Sequence, residues 1–99
     1  MRVKINSVHF KTDKKLDEFI SEKMDKLLNL HDNITGSEVT LRVDNTDEPA
    51  NKIAEIRLMV PGNDLFARKQ SKSFEEATDT AVEALRRQLA KHKEKQRGE

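Results

Sequence analysis

The sequence predicts an α+β fold in which a four-stranded mixed sheet carries two helices packed on one face. Apolar residues alternate with polar ones in four short segments, which is typical of strands with one buried face. In two longer segments the apolar residues recur at the spacing of an amphipathic helix. The order of the segments is β-α-β-β-β-α. Because a helical crossover joins the first two strands, these should run parallel, and the short turns that follow should make the other pairs antiparallel.

The first strand and the first helix are predicted near the N-terminus. Val3 and Ile5 alternate with polar residues, which indicates a short strand. A helix is predicted over 12–30, with Thr12 or Asp13 as its N-cap. Its apolar positions share one side of the helix and are expected to be core: Leu16, Phe19, Ile20, Met24, Leu27 and Leu28.

Three more strands are predicted in the middle of the chain, separated by a polar loop over 45–51 and a turn over 61–64. Each shows the period of two that places alternate side chains on opposite faces of a sheet. The apolar positions expected on the covered face are Val39, Leu41, Val43, Ala54, Ile56, Leu58, Val60, Leu65 and Ala67.

The final helix should begin at Ser73, because Ser73 and Glu76 have the spacing of a capping box. It is predicted to reach about residue 95, and its apolar stripe comprises Ala77, Ala81, Val82, Leu85 and Leu89. Charge changes sign along this helix. Residues 73–85 carry four acids and no base, whereas residues 86–97 carry six Lys or Arg and one acid.

This basic segment has two interpretations, which the pattern leaves open. Concentrated positive charge on a regular element is typical of proteins that bind polyanions. Acids at the start of a helix and bases at its end also complement the helix dipole. The formal net charge of the whole chain is only +1, so the composition alone does not reveal the patch.

Composition favours one small cytoplasmic domain. We expect a single domain over 1–99, with a frayed tail at about 96–99. Hydrophobic residues make up 34% of the chain and charged residues 37%, but the apolar positions are periodic, so a folded core is expected. There is no Cys, which excludes disulfides and thiolate metal sites. The N-terminal residues alternate instead of forming a signal-peptide block, and no apolar run is long enough to span a membrane.

Seven basic residues are the candidates for binding RNA phosphates. Lys23 falls inside the apolar stripe of the first helix, and its ammonium either reaches water along a packed stem or projects from the seam between the helices. We expect Lys23 and Lys26 to join Arg87 and Lys91, which share one side of the last helix, in a single patch. The full candidate set is Lys23, Lys26, Arg86, Arg87, Lys91, Lys93 and Lys95.

No set of residues suggests catalysis, so we expect a protein that is not an enzyme and needs no metal, cofactor or small-molecule substrate. The three histidines, His9, His31 and His92, lie in separate segments, without metal-ligand spacing. Phe19 and Phe74 are expected to be core. With four Phe and no Trp or Tyr, the chain offers too few rings for a base-stacking platform.

The element order, Lys23-x-x-Lys26, and the ending Arg87-Gln88-Leu89-x-Lys91-His92-Lys93-x-Lys95 resemble the short hibernation promoting factor and ribosome-associated inhibitor family, also called the sigma-54 modulation protein family. The resemblance covers roughly residues 1–95. It implies a fold like that of double-stranded RNA-binding domains and a protein that binds the small ribosomal subunit and its ribosomal RNA. Such a protein sits in the mRNA and tRNA channel, blocks translation under stress or in stationary phase, and favours ribosome dimerisation.

By position, the resemblance assigns RNA contacts to the candidate residues above except Arg86, which is extra to the family pattern. Glu75 and Ala84 also depart from that pattern. We expect a short form that lacks the C-terminal dimerisation domain of longer members and is a monomer off the ribosome. Two alternatives stay open: a general double-stranded RNA-binding protein, and a protein–protein adaptor acting on transcription.

Overall fold

The computed structural model describes residues 3–8, 10–31, 33–45 and 47–97, with side chains up to Lys91. It confirms the predicted element order. In chain order the elements are β1 (Val3–Ser7), α1 (Lys14–Asn29), β2 (Gly36–Val43), β3 (Lys52–Met59), β4 (Leu65–Ser71) and α2 (Phe74–Arg97).

The four strands form one sheet in the order β1-β2-β3-β4. β1 and β2 are parallel, as the helical crossover requires, and both remaining pairs are antiparallel. The predicted mixed sheet is therefore confirmed. One row of paired residues crosses the covered face of the sheet: Ile5, Val39, Ile56 and Ala67.

Both helices pack on this covered face, and they run in the same direction. Each follows a strand of the same orientation, β1 or β4, and returns antiparallel to it. α2 lies over β3 and β4 and also contacts α1. The largest fully buried core side chains come from both helices and the two central strands: Ile20, Met24, Leu27, Leu28, Leu41, Ile56, Leu58, Leu85 and Leu89.

Side-chain caps set where the helices begin. The carboxylate of Asp13 accepts a hydrogen bond from the backbone N–H of Leu16 at 2.8 Å, so Asp13 is the N-cap of α1. The hydroxyl of Ser73 accepts from the N–H of Glu76 at 3.1 Å at the start of α2. α2 ends at Arg97, two residues beyond its predicted end at about 95. Within the described ranges, no helix has the length and apolarity needed to cross a membrane.

Two apolar strand residues do not follow the predicted inward pattern. Val43, expected on the covered face, is 46% exposed, because the pairing of β1 with β2 ends at Leu41 and leaves Val43 without a neighbour on that side. Ile53 lies on the opposite face but is only 2% exposed. Its paired neighbours are the long side chains of Arg42 and Gln70. The amide of Gln70 also donates to the carbonyl of Ala50 at 2.6 Å, which brings the preceding loop close to Ile53.

The turn between β3 and β4 depends on one glycine. Gly62 has φ = 96°, in the left-handed region that a residue with a Cβ rarely adopts. This turn lies at the end of the sheet where β4 begins, which is the end that α2 approaches along its length.

Candidate RNA interface

The C-terminal part of α2 projects beyond the sheet. α2 has 24 residues and β4 has seven; at about 1.5 Å and 3.3 Å per residue, the helix is roughly 36 Å long and the strand roughly 23 Å. The Gln88 amide donates to the carbonyl of Phe66, near the start of β4, at 3.0 Å. Residues after Gln88 therefore extend past this end of the sheet, which fits the elongated 48 × 25 × 18 Å shape of the molecule.

We call residues 86–97 the basic half of α2. Leu85 and Leu89 anchor it, since both are fully buried in the core. Arg86, Arg87 and Lys91 are exposed, and none of them forms an ion pair with the part of the chain that the structure describes. The predicted site residues Lys93 and Lys95 lie on the helix, but their side chains fall outside the described residues.

Lys23 occupies the seam between the two helices. Its Nζ lies 2.9 Å from Oδ1 of Asp79 on α2 and 5.6 Å from the centroid of the Phe19 ring, and its side chain is 35% exposed. The stem therefore packs along the apolar side of α1 while the ammonium meets a carboxylate. Because that charge is already compensated, Lys23 offers less attraction to a phosphate than an unpaired lysine.

Lys26 differs from Lys23 although only three residues separate them. It is exposed, and among the described residues it has no ion-pair partner. Because both helices run in the same direction, Lys26 lies closer than Lys23 to the end of the molecule from which the basic half of α2 projects.

The helical repeat determines which base of α2 faces α1. Asp79 contacts Lys23, and Arg86 lies seven residues, or nearly two turns, further along the same side. Arg87 and Lys91 are four residues apart and lie between the α1 side and Gln88, on the part of the helix turned away from the buried residues Leu85 and Leu89. The basic residue of α2 that continues the α1 side is therefore Arg86. That Lys23 and Lys26 share one patch with Arg87 and Lys91 stays a prediction.

The face of the sheet without helices, which we call the outer sheet face, also carries basic residues, but they are paired. Each of these cations that the structure describes lies within 4.0 Å of a carboxylate oxygen on the same face or in the adjoining turn. The pairs are Lys4–Glu38 at 3.9 Å, Arg42–Glu55 at 3.0 Å, Arg68–Glu55 at 3.6 Å and Arg57–Asp64 at 2.8 Å.

Acidic residues lie away from the basic half of α2. The loop that carries Asp47 and Glu48 joins β2 to β3 at the end of the sheet where both helices begin. The side of α1 turned away from α2 carries four carboxylates, those of Asp17, Glu18, Glu22 and Asp25. The basic half of α2 therefore lies at one end of the molecule, and these carboxylates lie away from it.

The structure also shows an ion pair, between Lys23 and Asp79, that the sequence did not indicate. Asp79 was counted among the acids of the first half of the last helix, with no specific role. Its contact with Lys23 joins residues 56 positions apart in the chain, and only the packing of the two helices brings them together. Within the described ranges, no three His, Asp or Glu residues converge to form a metal site.

Comparison with known proteins gives consistent matches over nearly the whole chain. A family model described as "Sigma 54 modulation protein / S30EA ribosomal protein" matches residues 3–97. The ribosome hibernation promoting factor of Pseudomonas putida is 31% identical over 96 residues, which cover 97% of this chain and 90% of the relative. The protein of the same name from Azotobacter vinelandii is 32% identical over 96 residues, which cover 97% of this chain and 86% of that relative.

Two solved structures share the fold. A ribosomal subunit interface protein from Coxiella burnetii superposes with a TM-score of 0.82 at 19% identity, covering 94% of this chain and 98% of that one. The N-terminal domain of Thermus thermophilus Protein Y superposes with a TM-score of 0.78, also at 19% identity, and the match covers 93% of this chain and 99% of that domain. At this identity the likeness concerns the architecture alone.

Proposed function

This chain belongs to the sigma 54 modulation protein / S30EA ribosomal protein family, and on that premise we propose that it is a ribosome hibernation factor. It binds the small ribosomal subunit in the channel that mRNA and tRNA use, and it blocks translation by occupying that channel. Ribosome dimerisation is favoured as a consequence. Off the ribosome the protein is a monomer in the cytoplasm.

One observation carries the proposal: the basic half of α2 projects from the domain with exposed, unpaired cations on more than one side. Arg86 lies on the α1 side, whereas Arg87 and Lys91 lie on the side turned away from the sheet. A flat duplex surface would meet only one of these sides. A cleft in folded ribosomal RNA presents phosphates around a helix about 10–12 Å wide, so both sides are used.

Inhibition follows from occupancy and needs no chemistry by the protein. A domain with a basic projection at one end and carboxylates along the far side of α1 has a preferred orientation on RNA, because the carboxylates are repelled by phosphates. The rest of the domain then stands in the channel and excludes other ligands. Binding and inhibition are thus one event, reversed when the protein dissociates.

Co-sedimentation with purified small ribosomal subunits in a sucrose gradient tests the proposal. The double variant Arg87→Gln with Lys91→Gln should bind at least about tenfold more weakly, because each lost phosphate contact at an exposed position should weaken binding several-fold. The matched control is Lys4→Gln with Arg42→Gln, which removes the same charge from paired positions on the outer sheet face. It should sediment like the unaltered protein.

Competition separates the proposed function from its alternatives. Bound tRNA or mRNA should displace the protein from the subunit, whereas a general double-stranded RNA binder would be displaced equally well by any RNA duplex. A protein–protein adaptor would remain associated with its partners after RNase treatment. Equal loss of subunit binding in the α2 pair and the outer-face control would contradict the proposed interface.

A further inference from the structure

We propose that Lys69 is a further phosphate-binding residue, and that RNA continues from the basic half of α2 along the line where α2 lies against β4. This inference rests on the proposed function and adds to the same interface a residue outside the candidate set. Lys69 lies in β4 and is half-buried. Among the residues that the structure describes, no carboxylate forms an ion pair with it.

The pleat of β4 places Lys69 on the face of the sheet that α2 covers. Ala67, two residues earlier in the strand, is 6% exposed and belongs to the core. The residue paired with Lys69 across the sheet is Ala54, which is fully buried in the same core. Because alternate side chains of a strand share one face, Lys69 lies on the helix side, whereas its neighbour Arg68 pairs with Glu55 on the outer sheet face.

The open edge of β4 is the route by which the Lys69 ammonium reaches water. β3 lies on one side of β4, and no strand lies on the other. α2 packs over both strands. A charged group is costly to leave unpaired in an apolar core, so the apolar stem packs beneath the side of α2 while the ammonium emerges at the edge. We call the line where α2 lies against this edge the β4 margin.

A hydrogen bond shows which side of α2 faces the β4 margin. The Gln88 amide donates to the carbonyl of Phe66 at 3.0 Å. α2 runs antiparallel to β4, so the step from Phe66 to Lys69, about 10 Å along the strand, corresponds to roughly seven residues of helix toward its start. Lys69 is therefore level with about residue 81 of α2.

At that level the helix offers room for the lysine stem. Ala81 and Ala84 precede Gln88 by seven and four residues, which places them on the same side of α2. Ala81 is fully buried, and Ala84 packs against the core while half-buried. Because both side chains are single methyl groups, the stem of Lys69 can pass beneath them toward the edge.

The acids of the first half of α2 lie on other sides of the helix. Asp79 contacts α1, and Glu83, one turn later, continues that side. Glu75 and Glu76 lie in the first turn, before the level of Lys69. The β4 margin therefore carries a cation without a paired carboxylate, although the acidic half of α2 runs alongside it.

Beyond Gln88 the same margin leads to the basic half of α2. Lys91 lies three residues after Gln88 and is its neighbour on the helix surface. It is exposed and has no ion-pair partner among the described residues. Lys69 and Lys91 thus lie on either side of Gln88, roughly 15 Å apart along the helix axis. One strand of RNA that follows the β4 margin contacts both.

The first test measures affinity for purified small ribosomal subunits over a range of salt concentrations. Lys69→Met keeps an unbranched apolar stem and removes the ammonium, so it should weaken binding several-fold and make the slope of log K against log salt shallower by about 1. Lys69→Arg keeps the charge and should bind like the unaltered protein. Thermal melts of both variants should match that of the unaltered protein, because the packed stem is retained.

Lys72→Met is the matched control. Lys72 is exposed and has no ion pair with any described residue, but it lies between β4 and α2, at the end of the sheet opposite the basic half of α2. Loss of its charge should change neither the affinity nor the salt slope.

The second test observes the contact directly by acetylating lysines in the free and the subunit-bound protein and measuring each site by mass spectrometry. Lys69 and Lys91 should become protected when small subunits are bound, whereas Lys72 should stay reactive. Protection of Lys69 without Lys72 places RNA along the β4 margin and not merely near the domain.

Loss in Lys69→Met, normal binding in Lys69→Arg and protection at Lys69 together support the inference. If Lys69→Arg loses as much as Lys69→Met, or if Lys72→Met is equally harmful, a local phosphate contact is wrong. If Lys69→Met binds normally while the variant of Arg87 and Lys91 loses binding, Lys69 only packs its stem; the inference fails and the proposed function stands. If the unaltered protein does not bind small subunits, both are overturned.

Discussion

The outer sheet face and the basic half of α2 carry the same kinds of cationic side chain in opposite electrostatic states. On the outer sheet face, four Lys or Arg residues lie close to three carboxylates. On α2, Arg86, Arg87 and Lys91 are exposed, without an ion pair to any described residue. The number of basic residues therefore does not distinguish the two surfaces, whereas the presence or absence of nearby carboxylates does.

The difference has a physical origin in how each surface is built. Cross-strand neighbours in a sheet are held about 4.5–5.5 Å apart, so opposite charges on adjacent strands pair readily. The end of a helix that projects past its sheet has no such neighbours. The helix dipole favours cations in the last turn, and the described cations before that turn, Arg86, Arg87 and Lys91, have no described carboxylate paired with them. The helix-dipole interpretation of the basic segment and the polyanion interpretation are thus compatible, and the projection of the helix favours the second.

Lys23 and Lys26 extend the same comparison to α1. Lys23 is paired with Asp79 at 2.9 Å, like a residue of the outer sheet face, whereas Lys26 resembles the residues of α2. The two lysines look alike in the sequence and share one helix. Their availability to RNA is set by a carboxylate on the neighbouring helix.

The largest expected effect separates scaffold from interface within α2. Leu85 is fully buried, so Leu85→Ala should lower the free energy of unfolding by about 2–5 kcal/mol through loss of packing and the cavity left behind. Lys91→Ala should change it by no more than about 0.5 kcal/mol, because the side chain is exposed. Thermal and denaturant melts measure both. Equal losses would mean that Lys91 supports the fold and that its effect on binding is indirect.

A smaller effect should distinguish the two lysines of α1. We expect Lys26→Gln to reduce binding to small subunits several-fold, as expected for loss of one exposed phosphate contact. Lys23→Gln should reduce it less, because the Lys23 charge is already compensated by Asp79. Asp79→Asn is the informative companion, since it frees the Lys23 ammonium and should strengthen binding. If Lys23→Gln proves the more harmful, the pairing with Asp79 does not persist on RNA.

The smallest expected effect is on stability, at Thr78 in the first half of α2. Thr78 is fully buried, and among the described residues its hydroxyl has no hydrogen-bond partner. Thr78→Val keeps the shape and removes the unsatisfied group, so it should raise the free energy of unfolding by about 1 kcal/mol. Binding to small subunits should not change. A loss of stability in a denaturant melt would show that the hydroxyl is satisfied in solution.

Periodicity was sufficient to predict most of the fold. The period of two in the strands and the spacing of apolar residues in the helices predicted the element order, the mixed sheet and the packing of both helices on one face of that sheet. The pattern was wrong at Val43, where the neighbouring strand ends early, and it did not indicate that Ile53 would be covered from the outer face. The exposure of Val43 and the burial of Ile53 depend on which segments lie next to them in the fold. The period of apolar residues in the sequence does not contain that information.

The candidate site was less accessible from sequence. The charge reversal along the last helix located its basic half, and helical spacing separated the sides of Arg86 and Arg87. The pairing of Lys23 with Asp79 depends on the packing of two helices far apart in the chain. The closeness of Phe66 to Gln88 likewise depends on how far α2 runs along β4. Neither relation has a local signal.

The salt dependence of binding to small ribosomal subunits tests the central claim most directly. If the basic half of α2 and Lys26 make roughly four to six phosphate contacts, a plot of log K against log salt concentration should have a slope of about −3 to −5. Arg87→Gln with Lys91→Gln should make the slope shallower by about 1.5–2, whereas Lys4→Gln with Arg42→Gln should leave it unchanged. Affinity independent of salt, or a slope altered equally by both pairs, would contradict the account.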